Sequence, residues 1–159
     1  MNLKTEYEQD FQQWIEHHIT LLKEGRFNEI DAEHLIEELE DMGKSNVHEL
    51  ESRLIILIAH LLKWHIQLPI MKTQRIYEDY DGKSWRKTII EQRAQIIYLF
   101  KKVPSLKSKT QNAINNTYSE AMTLAVDETG LPESLFPIEC PYTVEQLLDK
   151  SFYPESKDC

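Results

Sequence analysis

Apolar residues recur every three or four positions along most of the chain, the spacing that gathers side chains on one face of an α-helix, and no segment alternates strictly as a half-buried strand would. A first helix is expected from about Thr5 to Glu24, with an inner stripe of Tyr7, Phe11, Trp14, His18, Leu21 and Leu22 and a left-handed stop at Gly25. Ile30 and Asp31 read as a hydrophobic staple and N-cap for a second helix that carries Leu35 and Leu39 and ends near Met42, at Gly43. The third, about Ser45 to Leu68, is the most apolar, with Val47, Leu50, Leu54, Leu57, Ile58, Leu61, Leu62 and Trp64 on its stripe. Pro69 forbids simple continuation, and Ile70 to Lys83 reads as a long loop.

Ser84 is placed to cap a fourth helix from Trp85 to about Lys102, whose stripe of Ile89, Arg93, Ile96, Phe100 and Val103 is apolar except for the arginine. A fifth, about Leu106 to Thr129, presents the small-residue face Ala113, Ile114, Thr117, Ala121, Leu124 and Ala125, and stops at Gly130. Three prolines then leave room for little more than the capping box at Thr143, which starts a short C-terminal helix to about Lys150, followed by a tail over 151–159. The expected fold is all-α: one domain over residues 1–159, an up-and-down bundle of four to five main helices with a short C-terminal helix.

Length and composition agree with that picture. The chain has 159 residues, 41% hydrophobic and 28% charged, enough to build a core and too apolar for disorder. The opening residues lack a basic leader followed by an apolar run, so the mature chain is expected to begin near Met1. The longest apolar stretch, Leu54 to Leu62, is interrupted by His60 and falls well short of a bilayer span, so no membrane partner is expected. Cys140 and Cys159, the only cysteines, give neither a disulfide framework nor a thiolate metal site, which points to a reducing cytoplasm.

Charge changes the picture more than composition does. Residues 1–71 hold 6 Lys/Arg against 14 Asp/Glu, residues 72–109 hold 10 against 4, and residues 110–159 hold 2 against 9. A basic middle between acidic flanks most simply means mutual neutralisation within the fold, with an anionic partner surface as the alternative. The overall net charge of −9 opposes nucleic acid.

Four segments carry a family resemblance: LIEELEDMGKSNVHELESRL from Leu35, HLLKW from His60, SWRKTIIEQR from Ser84 and ETGLPESLFPIECPYTVEQLLD from Glu128, with GRFNEID at Gly25 to Asp31. Together they resemble a bacterial family, common in cyanobacteria, catalogued as a domain of unknown function numbered twenty-nine. The resemblance implies a helical bundle. It implies no activity, cofactor or catalytic residue.

Chemistry is looked for among polar residues on apolar faces. At about 100° per residue, Glu51 and His65 fall within the apolar arc of the third helix, and Arg53 and His60 at its border beside Trp64. Glu38 borders the second helix's stripe, and Arg93 interrupts the fourth. These residues, with Trp85 and Arg86, are expected to form a structural polar network in which Glu38 or Glu51 pairs with Arg53 or Arg93 and His60 donates to a carbonyl. The sharper reading is a metal-dependent enzyme with Glu38, Glu51, His60 and His65 as ligands, although the Glu-x-x-His pairs of carboxylate bundles are missing. His17, His18 and His48 read as surface histidines, and no nucleophile motif or phosphate loop occurs. Lys101, Lys102, Lys107 and Lys109 suit a solvated helix junction, and Tyr77, Tyr80 and Trp85 could line a groove. The reading these features favour is a non-catalytic helical interaction or regulatory protein that needs no cofactor, with a protein partner and oligomeric state left open.

Overall fold

Short polar residues decide where the first helices begin and end. Asn2 accepts the amide of Lys4 at 2.9 Å and opens α1, Leu3–Gln9. Asp10 leaves helical geometry and accepts the amide of Gln13 at 3.1 Å, so it closes α1 and caps α2, Phe11–Lys23. The single helix expected over Thr5–Glu24 is therefore two, because an aspartate that can cap competes with helix continuation. At Gly25 (φ 71°) the predicted stop is present: Arg26 donates to the Leu21 carbonyl at 2.9 Å and Gly25 to Leu22 at 3.2 Å. Only a residue that tolerates the left-handed region closes a helix this way.

After a 3₁₀ turn at Phe27–Glu29, α3 runs unbroken over 31 residues, Ala32–Leu62. Two helices separated at Gly43 were expected. Gly43 instead takes a helical conformation, since a glycine inside a helix costs only about 1 kcal/mol and strong helix formers lie on both sides. The helical path does not stop at Leu68 either. Lys63–Gln67 forms a π-helical turn, with Leu68 donating back to the Lys63 carbonyl, and α4, Leu68–Lys72, follows it. A π turn widens the ladder to five-residue steps, which relieves the clash a proline ring has with the carbonyl four residues before it. Pro69 thus sits in the first turn of α4, and the expected loop is shortened from its N-terminal side.

The remaining helices are α5, Lys83–Lys102; α6, Thr110–Thr129, entered through a 3₁₀ segment at Pro104–Lys109; and α7, Val144–Leu148, behind a 3₁₀ turn at Glu133–Leu135. Helix α5 starts one residue before the expected cap, directly after Gly82. Thr143 and Gln146 form the predicted reciprocal capping box. This computed structural model describes residues 2–74 and 80–155. Tyr77, part of the expected loop, and the end of the tail, 156–159 with Cys159, lie outside the described residues. Among the described residues there is no strand, and the fold is all-α.

The chain divides into two compact units, Met1–Ser45 and Asn46–Cys159, with the division inside α3. The second holds a conventional core: Leu50, Leu54, Leu57, Ile58, Leu61 and Leu62 of α3 pack with Ile89, Ile96, Leu99 and Phe100 of α5 and with Ala113, Ile114, Ala121 and Ala125 of α6, closed by Phe136, Tyr142 and Leu147. The first contains Trp14 as its one fully buried apolar side chain among the described residues, beside buried Glu6, His18 and Asp31. Because the helical run continues to Lys72, it contains a window of mean hydropathy 1.6, long and apolar enough to cross a bilayer; 44% of that window is buried within the protein.

Candidate functional site

In the second unit the arginines and Glu51 find partners other than those expected. Arg93 is 1% exposed, and its fork reaches no carboxylate among the described residues: Nε donates to the Leu147 carbonyl at 2.8 Å and Nη2 to that of Gln146 at 3.1 Å. These are carbonyls at the C-terminal end of α7, where helical acceptors lack donors and the dipole favours a cation. The guanidinium carbon also lies 5.5 Å from the centre of the Tyr153 ring. Burial lowers the Arg93 pKa, partly offset by Tyr153 and Asp149.

Arg53 Nη1 reaches Gln92 Oε1 at 3.5 Å, and Glu51 lies 4.0 Å from His48 at the surface. His60 Nδ1 is 2.8 Å from the Ile56 carbonyl, the expected kind of partner, and burial lowers its pKa. Arg86 lies over the Trp64 ring at 5.4 Å, and Trp85 meets Tyr80 edge-on at 5.4 Å. Lys101, Lys102, Lys107 and Lys109 are exposed. The four candidate metal ligands each have a separate neighbour: Tyr7 for Glu38, His48 for Glu51, the Ile56 carbonyl for His60 and Tyr142 for His65. Among the described residues no three His, Cys, Asp or Glu side chains converge as a metal would need.

The denser polar cluster is in the first unit, where the sequence reading did not look for one. Asp31 Oδ2 is 2.5 Å from His34 Nδ1 and accepts from Trp14 Nε1 at 3.3 Å, while Oδ1 is buried without a hydrogen-bond partner among the described residues. The Asp31 amide donates to His18 Nε2 at 2.8 Å, so the ring proton of His18 sits on Nδ1, which donates to the Trp14 carbonyl at 2.8 Å. His18 is therefore an interior clamp, not a surface residue. Burial pushes the Asp31 carboxyl up, but the bonds from His34 and Trp14 outweigh it and the group lies below its ordinary pKa. Buried Glu6 meets half-exposed His17 at 2.7 Å. Tyr7 stacks on His34 at 3.9 Å and donates to Glu38 at 2.5 Å, a bond that raises its phenol to about 12. The sequence held one usable signal: the cap residue Asp31 is followed three positions later by His34, the place where a capping box has a side chain that reaches back.

With these bonds setting which sides face inward, the apolar flanks of the first unit stay uncovered. Phe11, Ile19 and Leu22 of α2, Phe27 in the turn, and Ile36, Leu39 and Met42 of α3 are exposed, from 42% at Leu22 to 66% at Met42. Phe11, Leu22 and Leu39 were expected inside. The apolar arc on each helix is wider than the strip its neighbour covers, and the polar bonds decide which strip that is. Residues 1–45 carry 4 Lys/Arg and 12 Asp/Glu. Two of those four bases are held within the unit, Lys4 by Glu33 and Arg26 by Glu24 and Glu29. The surface around the flanks is thus strongly acidic.

No curated protein and no solved structure matches the chain. The family model described as "Domain of unknown function DUF29" matches residues 6–153, nearly the whole length, and on that extent the chain belongs to this family.

Proposed function

We propose that the protein is a non-catalytic interaction module whose N-terminal helical unit receives a basic amphipathic helix of a partner protein. The observation that carries this reading is the seven large apolar side chains exposed within 45 residues whose net charge is −8. Exposed apolar groups in such number favour a partner, because each one buried contributes about 1.5 to 3 kcal/mol. The sign of the surrounding charge selects a cationic partner and disfavours a second copy of the same acidic face. A helix fits because an apolar stripe with Lys/Arg on either side lays its anchors at the same three- and four-residue spacing.

A photo-crosslinking residue at position 42 tests this in cells. The captured segment should be a basic amphipathic helix, and Ile36→Asp combined with Leu39→Asp should abolish capture while helicity is unchanged. An acidic segment, a second copy of this chain, no captured segment, or capture indifferent to the double substitution would each overturn the reading.

A further inference from the structure

The second unit contains a cleft of about 810 Å³, a volume that suits a drug-sized molecule. One side is the π turn, which supplies His65 and Ile66; the other comes from the segment after α6 and from the tail, with Leu135, Pro137, Tyr142, Phe152 and Glu155. Two features mark it as built rather than incidental. The first is the π turn itself, a departure from α-helical bonding that tends to persist where it shapes a site. The second is the wall: Pro137, Pro141 and Pro154 all face the cleft, and rings locked in φ lose almost no freedom when a ligand binds.

The polar groups limit what can enter. Tyr142 Oη lies 3.3 Å from His65 Nδ1. Burial lowers the pKa of His65 and raises that of Tyr142, so near neutral pH the pair is an uncharged hydroxyl beside an uncharged imidazole, either of which can donate according to the imidazole tautomer. Gln146 spends its side-chain oxygen on the Thr143 amide in the capping box, which leaves its amide nitrogen as a donor. The one formally charged side chain among the described lining residues is Glu155, and no lysine or arginine is among them. Among the described lining residues a phosphate or carboxylate ligand would find no cationic side chain, whereas an ammonium would find Glu155 in a cleft that Phe152 and Tyr142 also line.

We propose that this cleft is a binding site for a small apolar amine, with its ring body against the proline and aromatic wall and its ammonium at Glu155. The site is separate from the docking surface above and does not depend on it.

Naphthylethylamine, its neutral alcohol and its carboxylate analogue are the probes, titrated into the full chain at low ionic strength with the His65 imidazole followed by NMR. The amine should shift His65 and bind at least fivefold more tightly than the carboxylate. Glu155→Lys, at an exposed position, should reverse that order. Leu135→Trp, at a half-exposed position where the larger ring is tolerated, should fill the cleft and weaken the amine at least tenfold with the unfolding midpoint unchanged. An unmoved His65 resonance, a carboxylate that binds as well as the amine, a preference untouched by Glu155→Lys, or unchanged amine binding in Leu135→Trp would each overturn the proposal.

Discussion

The two units of this chain solve the same problem with opposite materials. Asn46–Cys159 is held by side chains of α3, α5 and α6 that exclude water, and its polar interior groups, Arg93 above all, are fitted into an apolar surround. Met1–Ser45 has a single fully buried apolar side chain, Trp14, among its described residues, and is pinned by Asp31, His18, His34, Glu6 and Tyr7. Directional bonds fix geometry but contribute only about 1 kcal/mol each, whereas burial is additive over area. The comparison teaches that the first unit leaves exposed the kind of apolar surface that the second buries in a core, and relies on directional polar bonds to hold its helices.

The largest test strikes the second unit. Arg93→Ala removes a buried guanidinium, takes the side-chain donor from the Leu147 carbonyl, leaves the Gln146 carbonyl only the Asp149 amide at 3.3 Å, and opens a gap beside Tyr153. A loss of about 3 kcal/mol is expected in urea unfolding followed by Trp64 and Trp85 fluorescence. A loss below about 0.5 kcal/mol would mean that α7 is not anchored through this residue.

Asp31→Ala strikes the first unit and should cost about 2 kcal/mol, since Trp14 Nε1 and the His34 ring lose their shared acceptor. The effect should be confined. In a Trp64→Phe, Trp85→Phe background, Trp14 emission should shift at lower urea, while amide exchange protection in α5 and α6 stays unchanged. Loss of protection in α6 to the same extent would remove the contrast between the units.

Acid should separate the two units by pH. His60 and His65 have pKa values lowered from 6.5 by burial, so the unfolded chain takes up their protons first; their contribution is complete above pH 6.5 and lost as pH falls through their lower folded values. Asp31 lies below 3.8 when folded, so its contribution persists until pH falls below the ordinary carboxyl range. Stability of the second unit should therefore begin to decline from about pH 6.5, before the Asp31 contribution of the first is touched. Amide exchange measured at pH 7 and pH 5 checks this, and earlier loosening around Trp14 than around Leu57 would contradict it.

These differences also explain what could be read from the sequence. The all-α class, the stops at Gly25 and Gly130 and the Thr143 capping box are local, decided by a few neighbouring residues, and were legible. Arg93 was identified as an inward polar residue, but its acceptors lie 54 and 53 positions away on a short helix, beyond what helical spacing can predict. The His18 clamp was missed for a related reason: its bond to the Asp31 amide needs a turn between two helices, and nothing in the His17-His18 pair itself signals it. Gly43 and Pro69 were over-read, because a helix breaker is only a preference, here outweighed by strong neighbours at one site and absorbed by a π turn at the other.

Gly43 gives the smallest effect and the finest discrimination, because it lies within α3 close to the division between the units. It is helical, and a methyl group added there would meet no atom within 4 Å. Gly43→Ala should therefore stabilise the protein by about 0.5 to 1 kcal/mol, by reducing the freedom of the unfolded chain and raising helix propensity, with no change at either polar cluster. Were Gly43 a left-handed stop between two shorter helices, as its sequence context suggested, alanine would be strained there and the same substitution would destabilise. The sign of the change in urea midpoint thus decides whether α3 is one continuous helix in solution.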